Sequence, residues 1–208
     1  MYELIILSLL MRSPAHGYLI AKIINDMFGP YTKISNGRLY PLLAELEKDG
    51  LIARHVENAH LTNTEKYERH LRSYKISEEG RKRFHKLMMD TTSNPGEYQR
   101  IFLHKASVLE FLKPTERLYL IEHYINYCQT HVLHMAAEQE DLATCNHLSP
   151  SQLKATLGVM QHIDAQWRLE LEWAKQLHEQ AITDIEFEKT QSIALSTNTT
   201  QNLIYSNE

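Results

Sequence analysis

The sequence is poor in the residues that build reactive loops and covalent frameworks: its 208 residues include seven glycines, six prolines and two cysteines. There is no G-x-x-x-x-G-K-[ST] phosphate loop, no G-x-G-x-x-G dinucleotide turn, no G-x-S-x-G nucleophile elbow and no H-E-x-x-H zinc pair. Enzymes built on those patterns are excluded, and no cofactor is implied. Cys128 and Cys145 are too few for a disulfide scaffold. The chain opens without a signal-peptide pattern, so they read as unpaired thiols of a cytoplasmic protein. Long hydrophobic runs are missing too. The opening MYELIILSLLM is broken by Arg12 and Ser13-Pro14, well short of the ~20 apolar residues a membrane span needs. It reads as a buried helix, and no membrane partner is expected.

An excess of positive charge is also missing, since 22 Lys+Arg face 26 Asp+Glu for a net charge of −4. Taken whole, that balance argues against nucleic acid. The distribution changes the picture: residues 1–90 carry 14 Lys+Arg against 11 Asp+Glu, and residues 91–208 carry 8 against 15. The cationic surplus sits in the front half, and it is modest enough to need a motif behind it.

Apolar periodicity supplies the elements. Leu4, Leu7 and Met11 predict a helix over about 2–11 that Pro14 stops. After His16-Gly17-Tyr18, the residues Leu19, Ile20, Ile23, Ile24 and Met27 mark a second helix, closed by Phe28-Gly29-Pro30. Ser35 is a candidate N-cap for a third helix over about 36–48, with Leu39, Leu42, Leu43 and Leu46 facing the core and Asp49-Gly50 as its stop. LIARHVE at 51–57 and LRSYKIS at 71–77 then lean to β structure, and Ser77 with Glu78 and Glu79 starts another helix. Three helices followed by a two-stranded hairpin form a winged helix-turn-helix, in which the third helix enters the major groove of double-stranded DNA and the hairpin reaches the flanking backbone.

The segments HGYLIAKII at 16–24, SNGRLYPLLAELEKDGLI at 35–52 and SYKISEEGRKRF at 73–84 resemble the PadR family of winged-helix transcriptional regulators. The combination of Gly37, Tyr40-Pro41 and Gly50 is more specific than a generic helix-turn-helix pattern. The resemblance implies a DNA-binding homodimer, a repressor on an inverted-repeat operator, released by phenolic or cationic hydrophobic small molecules. Family wings often carry a Gly- and Pro-rich tip. Here ENAHLTNTEKYERH at 57–70 has neither residue.

Several residues are candidates for DNA contact. Ser35, Asn36 and Arg38 lie at the start of the third helix, off the leucine stripe, where base edges are usually met. Arg38 is the leading base reader, because a guanidinium donates two hydrogen bonds to guanine O6 and N7, and Asn36 suits adenine. Tyr40 resembles the family tyrosine that faces the DNA backbone; packing beside Leu43 is the alternative. Lys33, and in the wing Lys66, Arg69 and Arg72, suit phosphates, although Glu65 and Glu68 can neutralise the wing cations. Pro41 inside a helix removes an amide donor and crowds the residue four earlier, which is Gly37. Replacing Gly37 is therefore expected to hurt binding.

TTSNPGE at 91–97 reads as a domain boundary. This divides the chain into a winged domain at 1–90, a helical dimerisation and effector domain at 98–188, and a mobile polar tail at 189–208. The fold class is mainly α. A short helix over 99–111 precedes two long ones expected to pack antiparallel. The first has Leu118, Ile121, Ile125, Cys128, Val132 and Met135 at heptad-like spacing. The second starts at Ser149-Pro150 and carries Leu157, Met160, Ile163, Trp167 and Leu171. Periodicity does not separate an intrachain seam from a dimer contact. Leu118, Ile121, Ile125, Val132, Leu157, Met160, Trp167 and Leu171 serve either. Phe111, Tyr124, Trp167 and Trp173 are candidates for an effector pocket, with core packing as the alternative. Two further readings compete with DNA regulation. One is a winged-helix protein-interaction module. The other is a metal sensor using Cys128, His131 and His134 with Cys145 and His147, although residues six apart on a helix point roughly 120° apart.

Overall fold

The computed structural model describes residues 1–29, 31, 33–55, 73–144 and 147–204, with side chains among these except at 189 and 191–204. It divides into two compact units, Met1–Phe111 and Leu112–Glu208.

The first unit runs α1 (Tyr2–Arg12), β1 (Ala15–His16), α2 (Gly17–Phe28), α3 (Asn36–Lys48), β2 (Ile52–His55), β3 (Ser73–Ile76), α4 (Glu78–Met89) and α5 (Tyr98–Ala106), with a 3-10 turn before and after α5. The expected helical stripes form its core. Ile6, Leu7, Ile20, Ile24, Leu39, Leu43, Phe84 and Met88 are fully or almost fully buried, each contributing on the order of 1.5–3 kcal/mol on removal from water. Leu42, placed on the same stripe by periodicity, is only half-buried.

The sheet has three strands where the sequence predicts two. Ala15 and His16 pair antiparallel with Tyr74 and Ser73, which gives the order β1-β3-β2. Two residues are too few to write an alternating pattern. What makes them a strand is the outer edge of β3, whose backbone groups need partners. The other edge of β3 pairs with β2, from Ile52↔Ile76 to His55↔Ser73. Residues 56–72, with Lys66, Arg69 and Arg72, lie outside the described residues.

Ser77 joins the sheet to α4. Its hydroxyl accepts from the Gly80 amide at 2.9 Å, as the N-cap reading predicts, and lies 2.6 Å from the Gly50 carbonyl and 2.9 Å from that of Leu51. Gly80 is obligatory, because a Cβ there would lie 2.0 Å from the Leu51 carbonyl oxygen and 2.8 Å from Ile76.

The boundary expected at 91–97 moves to Phe111. Asn94 adopts φ 58° and Asp90 accepts from the Thr92 and Ser93 amides, a set of hydrogen bonds that holds the Asp90 carboxyl below the usual carboxylate range. The turn sends α5 back onto the winged helices rather than out of the unit. There Ser8 meets His104 at 3.0 Å, Arg12 donates to the Ser107 carbonyl and to Glu110, and Phe84 meets Phe111 edge-on.

The second unit is a hairpin of α6 (Pro114–Ala143) and α7 (Pro150–Ile204). Ser149 caps α7 as read from HLSPSQL, with its hydroxyl 3.3 Å from the Gln152 amide and Gln152 Oε1 accepting from the Ser149 amide. Partners run in opposite order, Arg117 to Glu188, Glu122 to His178, Tyr124 to Trp173 and Tyr127 to Trp167, so the helices are antiparallel as expected. Helix α7 continues to Ile204, past residue 189 where the composition predicts a tail. No Gly or Pro occurs after Gly158, and Ser, Thr, Asn and Gln cost a helix only up to about 0.7 kcal/mol each. Among the described residues, no helix is long and apolar enough to cross a membrane.

Candidate nucleic-acid interface

Helix α3 presents two faces. Leu39, Leu43 and Leu46 are buried, while Ser35, Asn36, Gly37 and Arg38 at its start are all exposed. The leucines hold the helix down, and the polar first turn is left toward solvent. Ser35 occupies the N-cap position, but its side chain makes no capping bond; its carbonyl accepts from the Arg38 and Leu39 amides at 3.0 Å. The Ser35 hydroxyl is therefore not committed to the helix. At Gly37 a Cβ would have the Ser35 hydroxyl at 3.9 Å as its nearest neighbour, so the protein itself does not require glycine's small size there.

Arg38 lies with its guanidinium over the ring of Tyr2, 4.8 Å from the centroid. The Tyr2 ring is in turn 5.5 Å from that of Phe28. Tyr40 is half-buried, and a Cβ on Gly17 would lie 3.1 Å from its Cε1 and 3.5 Å from its hydroxyl. The ring packs on the start of α2 and remains partly open to the surface. Lys33 is exposed. With Tyr18, Lys22, Asn25, Asp26 and Asn36 it lines a groove of about 590 Å3 between α2 and the start of α3.

Sequence reasoning missed the residues that place this surface. Asn25 Oδ1 accepts from the Ile34 amide at 2.7 Å and so fixes the segment entering α3. Arg54 on β2 makes a two-point ion pair with Glu47 at the end of α3, at 2.9 and 3.3 Å. Gly17 makes room for Tyr40. The HGY segment held the last signal; Asn25 and Arg54 look like ordinary surface residues in a single sequence.

The remaining candidates among the described residues sit in the hairpin, apart from Phe111. Tyr124, Tyr127, His131, Trp167 and Trp173 form one aromatic cluster between α6 and α7, with His131 stacked on Trp167 at 3.9 Å. Phe111 belongs to the first unit, against Phe84. The Tyr124 hydroxyl donates to Glu170 at 2.5 Å, and burial, helped by that bond, raises its pKa. Burial pushes the Cys128 thiol up to about 12, which makes it a poor source of the thiolate a metal needs. His131 packs on rings, His134 lies 3.8 Å from Glu138, and Cys145 is outside the described residues. Among the described residues, no three His, Cys, Asp or Glu side chains are grouped to hold a metal.

Of the heptad-spaced residues, Cys128 and Ile121 are fully buried. Of the two roles left open for Ile121, that burial favours the intrachain one. Leu118, Ile125, Val132, Leu157, Met160, Trp167 and Leu171 are half-buried, and Leu133, Val159, Leu169 and Phe187 are exposed apolar positions the periodicity did not select.

Residues 6–86 match the model of the transcriptional regulator PadR-like family. This is a PadR-like domain. The match covers residues 6–86 of the 208, and the family it names is one of transcriptional regulators. Among solved structures, the chain is similar to Bacillus subtilis PadR in complex with operator DNA, at 16% identity over 86% of this chain and 98% of that one, with a TM-score of 0.37. It is also similar to the same protein in complex with p-coumaric acid, at 17% identity over 86% and 97%, with a TM-score of 0.36. The Vibrio cholerae virulence activator AphA matches at 14% identity over 88% and 99%, with a TM-score of 0.34. No curated protein matches the chain.

Proposed function

We propose that this PadR-like chain is a sequence-specific repressor that binds an inverted-repeat operator as a homodimer, with Arg38 and Asn36 reading base edges. Ser35, Gly37, Tyr40 and Lys33, together with Lys66, Arg69 and Arg72 of the wing segment, would meet the backbone. The observation that carries the reading is the exposed polar first turn of α3 above a buried leucine face, within the segment that matches the family. That turn is the part of a recognition helix that reaches base edges, and Gly37 lets the backbone come close.

Two half-sites one helical turn apart require a two-fold partner. Helices α6 and α7 supply the length, and the half-buried set Leu118, Ile125, Val132, Leu157, Met160, Trp167 and Leu171 is the proposed contact. Release by a small molecule belongs to the same proposal. The rings of Tyr124, Trp167 and Trp173 are the proposed place for it, and displacement of one of their packing contacts would be required.

Selection of duplexes from a random pool tests the reading. An enriched inverted repeat is expected, with Arg38→Ala relaxing preference at one base pair per half-site by about 1–3 kcal/mol. A pool that shows no enrichment at low salt would leave a protein-binding winged helix as the better account.

A further inference from the structure

Arg38 has company that the sequence does not announce. Tyr2, at the first turn of α1, lies under its guanidinium at 4.8 Å, and Phe28, the last residue of α2, lies against Tyr2 at 5.5 Å with the rings tilted by 58°. The ring of Tyr2 is thus in contact with the end of α2 and the start of α3, the two helices of the helix-turn-helix. Its own helix start is tied down as well. Glu3, the next residue, takes a two-point ion pair from Arg83 of α4 at 2.7 and 3.0 Å. Tyr2 is therefore held by the α1 backbone on one side and by Phe28 on the other.

A ring beneath the guanidinium carbon takes up none of its five N–H donors in a conventional hydrogen bond, so the pair that reads guanine O6 and N7 stays available. Among the described residues, no carboxylate pairs with Arg38, which is exposed. An unsupported arginine loses rotamer freedom when it docks on a base; one already stacked loses less.

We propose that Tyr2 is a positioning residue that holds Arg38 in its base-reading pose, so that a residue of α1 outside the recognition helix sets part of the operator specificity. This rests on the reading of Arg38 given above. If the stack persists on DNA, removing the ring weakens specific binding; if Arg38 leaves the ring to reach DNA, removing the ring strengthens it. The sign of the effect therefore decides.

The test uses the full chain and the duplex won from the random pool, with every single-base variant of one half-site. Tyr2→Leu keeps an apolar contact with Phe28 and removes the ring, while Tyr2→Phe keeps the ring. Tyr2→Leu is expected to weaken the selected duplex about two- to tenfold, which is the ~0.5–1.5 kcal/mol of ordering one rotamer-rich side chain on binding, converted at 1.4 kcal/mol per decade. It should flatten preference at the base pair that Arg38→Ala flattens. Tyr2→Phe should match wild type, and Tyr2→Leu should add nothing in an Arg38→Ala background. Equal or tighter binding by Tyr2→Leu would overturn the proposal. So would a uniform loss on all duplexes, specific and scrambled, accompanied by a fall in Tm. Arg38→Ala leaving every base preference intact would overturn the reading of Arg38 and, with it, the role of Tyr2.

Discussion

Two glycines show how much one Cβ can decide. At Gly80 an added methyl would overlap the Leu51 carbonyl oxygen at 2.0 Å, and neither backbone can give way without breaking the Ser77 cap or the β2–β3 pairing. Gly80→Ala is expected to cost on the order of 3 kcal/mol or more, read as a lower urea midpoint. At Gly37 the same methyl enters open space. Gly37→Ala should leave folding intact or stabilise it by roughly 0.5–1 kcal/mol, yet weaken operator binding about tenfold through a lost close approach to DNA, a cost of ~1.4 kcal/mol. Unfolding and binding measured on the one variant should thus move in opposite directions. His104 offers a titration. Burial lowers its pKa from the usual 6.5 to about 4, with Arg12 adding to the shift. The unfolded chain therefore takes up the proton first. Stability is complete above about 6.5 and falls as pH drops toward 4, by about 2 kcal/mol between pH 7.5 and pH 5. His104→Gln should flatten that part of the urea-denaturation profile against pH, and an unchanged slope would place the titration elsewhere.

At the scale of elements, the segment before α3 is the sensitive one. The Ile34 amide donates to Asn25 while the Ile34 side chain is buried, so Asn25→Ala leaves an amide without its partner, at about 1–3 kcal/mol. It should weaken specific DNA binding more than it lowers Tm, because the segment leads into the reading turn. Comparison of operator and scrambled duplexes with the variant checks this. How legible the elements were follows from their length. Helices α1 to α4 were readable from apolar spacing together with Gly29, Gly50 and Ser77, since burial of one face and the stop chemistry agree. Strand β1 was not, because Ala15 and His16 become a strand only through the outer edge of β3. Of the heptad-spaced series on α6, Ile121 and Cys128 are buried, and the other buried positions, Leu120 and Tyr124, lie outside that series. A tyrosine with its hydroxyl on Glu170 does not register as a core residue in an apolar count. In the candidate site, Arg38 and its neighbours were legible from position on α3. Tyr2 and Asn25 were not, because their partners are distant in sequence or lie in the backbone.

For the whole molecule, the split of charge matters more than its sum. The cationic surplus lies in residues 1–90 and the acidic excess in 91–208, so the part proposed to meet DNA would be attracted while the rest would be repelled. This separation favours one orientation on the duplex. Light scattering at micromolar protein is expected to give a dimer, and a monomer at all concentrations would contradict a two-fold operator. The most direct test of the central claim is the affinity of the full chain for its selected duplex and for a scrambled one, measured across salt for wild type and Arg38→Ala. Wild type is predicted to prefer the selected duplex by about a thousandfold or more, with a log–log salt slope near −5 if about six phosphates are neutralised. Arg38→Ala should lose preference while keeping most of that slope. Equal affinity of wild type for both duplexes at every salt concentration would contradict the account.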